Sequence, residues 1–123
     1  AINPEDPQPF NKSSRALVID RMVYTGAMGG NSEGKIDGMT SVEEARVACD
    51  ELISVLDSVG SGAQKVVKAT VYTTPDADVD GIIAEYESRF TGPNCAPQPV
   101  LSLATVAQLP FGRRVQIDAV ATL

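Results

Sequence analysis

The chain contains no histidine. Without an imidazole there is no Ser-His or Cys-His relay and no histidine metal ligand. Cysteine is scarce: Cys49 and Cys95 are the only two. Two are too few for the four Cys/His ligands of a structural zinc site within one chain, and they suggest no disulfide framework. The expectation is a protein without metal or cofactor, its thiols reduced in the cytoplasm. Positive charge is also short. Ten Lys and Arg face sixteen Asp and Glu, a net charge of −6. Such a surface repels phosphate backbones and anionic lipid, so neither nucleic acid nor membrane is an expected partner. No apolar run approaches the ~20 residues of a membrane span. Residues 1–10 are rich in proline and acid and lack the basic and apolar regions of a secretory signal. Chemistry is left to carboxylates, hydroxyls, a thiol, Arg and Lys, and the backbone.

What is present is the composition of a folded domain: 123 residues, 43 % hydrophobic and 21 % charged. The length predicts one domain over 1–123, able to bury roughly two thirds of its unfolded surface, with residues 1–12 as an extended arm. Residues 14–24, SRALVIDRMVY, read as two short strands turning at Asp20-Arg21. The glycine-rich run TGAMGGNSEGKIDGMT must be loop, and it lacks the spacing of a phosphate-binding motif. Thr40 and Glu43 form a capping box that opens a helix. Its apolar face is Val42, Ala45, Ala48, Cys49, Leu52, Ile53, Leu56 and Val59, and Gly60 and Gly62 end it. Cys49 on that face reads as a core thiol.

Lys65–Thr74 is β-branched and alternating, a strand. Asp76 or Asp78 caps a second helix carrying Val79, Ile82, Ile83, Tyr86 and Phe90 on one face, broken by Gly92-Pro93. Two further strands follow, Gln98–Ala107 and Arg114–Leu123. In the last, Val115, Ile117, Ala119 and Ala121 alternate with Gln116, Asp118 and Val120. The order β-β-α-β-α-β-β predicts an α+β fold, a mixed sheet with two helices packed on one face. The other face still carries Val66, Tyr72 and Val120, which points to burial against other subunits. Among candidate chemical groups, Cys95 sits in TGPNCAPQP, a loop expected to be exposed, but has no histidine to activate it. Asp118 lies on the polar side of the last strand with Arg113 or Arg114 as ready partners. That arginine pair itself reads as surface charge.

Six runs in this order resemble the Rid/YjgF family, long labelled endoribonuclease L-PSP. They are Tyr24-Thr25-Gly26, Val55-Leu56-Asp57-Ser58-Val59-Gly60, Val66-Val67-Lys68-Ala69-Thr70-Val71-Tyr72, Tyr86-Glu87-Ser88-Arg89-Phe90, Ala107-Gln108-Leu109-Pro110 and Val115-Gln116-Ile117-Asp118-Ala119-Val120-Ala121. The resemblance covers residues 14–122. It implies a chorismate-mutase-like fold, a homotrimer with ligand clefts between subunits, and hydrolysis of small reactive enamines and imines to keto acids and ammonia.

Carried over residue by residue, the family's carboxylate-gripping arginine falls on Leu101 and its pocket asparagine on Ile83. The pocket serine becomes Thr25, and the water-ordering glutamate becomes Asp118, one methylene shorter. The family's upstream aromatic lies near Phe10 or Lys12. Leucine cannot form the two-pronged charge-assisted bond. The resemblance thus implies a cleft of Thr25, Gly26, Cys95 and Asp118 with apolar walls at Leu101 and Ile83, suited to a neutral, hydrophobic substrate. Asp118 would move the proton, and Thr25 or a backbone amide would hold an oxyanion. Three functions follow from this: a Rid-like hydrolase or deaminase, a non-catalytic small-ligand binder, or an RNA-directed role that the charge disfavours.

Overall fold

The computed structural model describes residues 15–29, 38–95 and 97–123. The expected arm over 1–12, with Phe10 and Lys12, lies outside the described residues, as does most of the glycine-rich run. The chain forms β1 (Ala16–Ile19), β2 (Met22–Thr25), α1 (Ser41–Ser58), β3 (Val66–Thr73), α2 (Val79–Phe90), β4 (Val100–Thr105) and β5 (Val115–Thr122). The strands make one mixed sheet in the order β1-β2-β5-β3-β4. Only β3 and β4 run parallel, and α2 supplies the crossover such a pair needs.

Local chemistry sets each boundary. Asp20 and Arg21 both adopt positive φ, at 49° and 67°, which gives the hairpin the twist its strands require. The capping box of α1 is complete: Thr40 Oγ1 accepts from Glu43 N at 3.1 Å, and Thr40 N donates to Glu43 Oε1 at 2.8 Å. Those bonds, first the one from the Thr40 backbone, hold the Glu43 carboxyl below its ordinary value. Beyond α1, Gly60 takes φ +87°, a conformation glycine reaches without a Cβ clash. Asp78, not Asp76, caps α2, its carboxylate accepting from Gly81 N at 3.1 Å.

The core lies between the two helices and one sheet face. Ala45, Ala48, Cys49, Leu52, Val55 and Leu56 of α1 and Ile82, Tyr86 and Phe90 of α2 are buried with Val23, Ala69, Val71, Val115, Ile117, Ala119 and Ala121 of the sheet. Strict alternation on β5 produces this directly. Val66 departs from expectation. It is buried with the core, because a register irregularity between Val66 and Lys68 shifts the strand's phase and leaves Val67 exposed.

The arginine pair also differs from its reading as surface charge. Arg113 is buried, its guanidinium carbon 5.2 Å from the Phe111 ring centre. Arg114 donates from its backbone N (2.9 Å) and Nε (2.5 Å) to Glu44, a carboxylate on the inner face of α1 that is 1 % exposed. The same guanidinium reaches the carbonyl of Met39. This ion pair joins the start of β5 to the first turn of α1. Among the described residues, no helix is long and apolar enough to cross a membrane.

Candidate functional site

The sheet face away from the helices carries the polar groups. Register puts Thr70 opposite Asp118, Tyr72 opposite Gln116, and Lys68 opposite Val120. On this face Tyr72 donates its phenolic O–H to Asp118 Oδ2 at 2.9 Å. That bond is the main reason the Tyr72 phenol ionises above its ordinary range; desolvation and the nearby charge add to it. Thr70, through its hydroxyl, acts more weakly in the opposite direction. Strand alternation therefore identified Asp118 as a group on the uncovered face. It read Tyr72 only as apolar surface, and the hydroxyl that engages Asp118 was missed. The signal was available once β3 and β5 were paired, since both residues then fall on one face in adjacent rungs.

Thr25 stands at the end of β2, where the chain leaves the ladder. Its Oγ1 accepts from Ala119 N at 3.0 Å and donates to the carbonyl of Gly26 at 2.9 Å. The side chain thus substitutes for a ladder carbonyl. The chain rejoins β5 at Met28, which exchanges two backbone bonds with Ile117 at 2.8 and 2.9 Å. Gly26 N–H is bonded to the carbonyl of Arg15 at 3.0 Å. The hydroxyl of Thr25 and the amide of Gly26 are thus both engaged within the chain. What Thr25 does is fix the backbone at Ala119, the residue after Asp118. At Gly29, which continues this path, a Cβ would lie 2.6 Å from Gln116 Cγ, so a larger residue would require the Gln116 side chain to shift.

Leu101, Ile83 and Cys95 lie elsewhere. Leu101 pairs with Ala69, a core residue, so its side chain is on the helix-covered face at the sheet edge. There it borders a groove of about 440 Å³ with Pro99, Gln98, Tyr86 and Thr91. Gln98, which lines the groove, makes a pair of bonds with the backbone of Gly92, at 3.0 and 2.9 Å. Ile83 packs against the core from α2. Cys95 is 4 % exposed, contrary to its expected position in an open loop. The turn at 92–95 folds inward, Cys95 N donating to the Gly92 carbonyl at 3.1 Å. Cys49 is buried as expected, and desolvation pushes its thiol up to about 12. The Tyr86 phenol is likewise raised to about 12, by burial first and then by Cys49 and Cys95. Neither thiol is placed as a nucleophile. The described residues hold no group of three or more Cys, Asp or Glu able to bind a metal ion.

A mixed five-stranded sheet with two helices on one face is the architecture of a class of small α+β proteins, that of the YjgF fold. The chain belongs to the endoribonuclease L-PSP family, the Rid/YjgF proteins, whose model matches residues 4–123. Among curated relatives, a mouse (Mus musculus) 2-iminobutanoate/2-iminopropanoate deaminase is 32 % identical over 117 residues, covering 94 % of this chain and 84 % of the relative. The human (Homo sapiens) protein of that name is 30 % identical, covering 94 % and 82 %. Among solved structures, the YjgF gene product of E. coli superimposes with a TM-score of 0.81 at 23 % identity, covering 94 % of this chain and 91 % of that one. E. coli TdcF with bound serine gives 0.80 at 20 % identity, covering 95 % and 92 %. At these identities the two structures speak for the fold.

Proposed function

We propose that the chain is a Rid-type hydrolase that converts a small imine or enamine to the corresponding carbonyl compound and ammonia. The observation that carries this reading is Asp118, a carboxylate on the open sheet face held by Tyr72, in a chain whose curated relatives are named as imino-acid deaminases. An enamine first tautomerises to its imine. Water then adds to the C=N carbon, Asp118 taking a water proton and passing it to nitrogen. Asp118 then carries the hydroxyl proton of the carbinolamine to nitrogen, and the C–N bond breaks as C=O forms, releasing ammonia. No redox equivalent or metal is required by this balance.

The site is completed, in this reading, between copies of the chain. Asp118 and Leu101 lie on opposite faces of one sheet, so a single chain cannot bring both to one ligand. A cleft containing both needs the open face of one copy and the β4 edge of another. The apolar residues of the open face, with Ile19, Tyr24 and Val100 each 45 % or more exposed, supply the surface for such contact. We take the assembly to be the homotrimer of the family resemblance.

Leu101 sets the substrate class. E. coli TdcF is solved with bound serine, which carries a carboxylate, and the family resemblance implies an arginine for such a group where this chain has Leu101. Leucine at that position favours a neutral, hydrophobic imine, enamine or related carbonyl compound. The test is ammonia release from a panel of freshly generated imines with and without a carboxylate. Turnover should appear with neutral members. Turnover of 2-iminopropionate at least equal to that of every neutral imine would overturn the assigned substrate class.

A second reading, a non-catalytic small-ligand binder, draws on the hydroxyl of Thr25 being committed to Gly26 O. It calls for saturable binding without ammonia release. The family's older label suggests RNA, but a net charge of −6 opposes phosphate contacts. Filter binding across a salt series should show no retention.

A further inference from the structure

We propose that Tyr72 is a positioning residue for Asp118: its hydroxyl holds Oδ2 and leaves Oδ1 for the proton that a ligand or water presents. The inference rests on the reading of Asp118 as the proton carrier. Its physical basis is independent of that reading. Tyr72 and Asp118 come from neighbouring strands, 46 residues apart in sequence, and meet at 2.9 Å. Among the described residues, no donor other than Tyr72 bonds to Asp118.

An aspartate in an open strand position otherwise rotates among staggered wells and places its oxygens differently in each. One charge-assisted bond from a rigid phenol selects a single orientation. A base must stand within about 2.6–3.2 Å of the proton it takes, so this selection bears directly on rate. The ring of Tyr72 is only part-buried, and phenylalanine would fill its place. The hydroxyl therefore has its use in the contact with Asp118. Among the described residues, the other ionisable side chains that the paired strands place on this face are Lys68 on β3 and Tyr24 on β2, while β4 presents Val100, Ser102 and Ala104. None of these is bonded to the carboxylate.

The contact and its effect are tested separately, with wild-type protein, Tyr72→Phe and Asp118→Asn. Tyrosine labelled with ¹³C at Cζ reports the Tyr72 phenol by NMR without any substrate. It should ionise above the ordinary tyrosine range in wild type and move down in Asp118→Asn. The same titration in both proteins would show that the bond is absent and overturn the inference. In ammonia release from the imine panel, Tyr72→Phe should lower kcat about tenfold and leave KM within about twofold, the pattern of an interaction that aids the transition state rather than binding. Full kcat in Tyr72→Phe, alongside lost rate in Asp118→Asn, would refute the role of Tyr72 and leave Asp118 standing. Full rate in Asp118→Asn, or no turnover from any member of the panel, would remove the proton-carrier reading and this inference with it.

Discussion

The two faces of the sheet are made by the same five strands and carry opposite contents. Under the helices stand Val23, Ala69, Val71, Val115, Ile117, Ala119 and Ala121, all closed off from water. On the other side the same strands present Tyr24, Lys68, Thr70, Tyr72, Gln116, Asp118 and Val120. The first face has small and branched side chains matched to two helices. The second mixes exposed apolar residues with a hydrogen-bonded carboxylate, which a finished monomer surface would not need. The contrast teaches that the packed core and the proposed proton carrier Asp118 are separated across one layer of backbone. Substitutions on one face should unfold the protein, and those on the other should leave it folded but change what it does.

The largest expected effect is kinetic and belongs to the open face. Asp118→Asn should lower kcat for ammonia release by ~10²–10⁴-fold, with a urea unfolding midpoint close to wild type. Loss of folding instead would erase the separation of roles. Next comes Glu44→Ala on the covered side, which leaves the partly buried Arg114 guanidinium without its carboxylate. Breaking a buried ion pair costs ~3–5 kcal/mol, readable as a shift in urea midpoint; a neutral result would show that Arg114 finds water. Ile117→Ala should cost ~2–4 kcal/mol, while Gln116→Ala, one residue away on the same strand, should stay within about 0.5 kcal/mol. Equal losses for these neighbours would contradict the assignment of faces. Thr40→Ala, which removes the α1 cap, should cost ~1 kcal/mol, and by circular dichroism the helix should remain formed.

The smallest effect at neutral pH comes from Cys49. Its thiol is raised to about 12 by burial, so the folded state holds its proton more tightly than the unfolded chain does. That stabilisation is fully present below the ordinary cysteine value, near 8.5, and is lost as pH rises toward 12. Cys49→Ser removes this titration, and the decline in urea midpoint between pH 9 and about 11 should be shallower in the variant.

The covered face was legible in the sequence because its signals are local. The Thr40–Glu43 spacing, the helical apolar period and the alternation in Val115–Thr122 each need only a few neighbouring residues. The family itself was legible from six runs spread along the chain. What escaped was set by distant partners. Arg114 read as surface charge because Glu44 lies 70 residues earlier. Tyr72 read as apolar surface because Asp118 lies 46 residues on. Cys95 read as exposed because a Pro- and Gly-rich segment normally is, and the inward turn beneath α2 leaves no mark in composition. Val66 fell on the wrong face because one extra residue at Val67 inverts an alternation that otherwise reads cleanly.

The central claim is that the open face is completed by other copies of the chain, and the molar mass in solution tests it most directly. Multi-angle light scattering on wild-type protein, repeated down a dilution series, should give about 39 kDa, three chains of 12.9 kDa. A folded species that stays at 12.9 kDa at every concentration would leave Asp118 and Leu101 on opposite sides of a lone sheet, and the shared cleft would not exist.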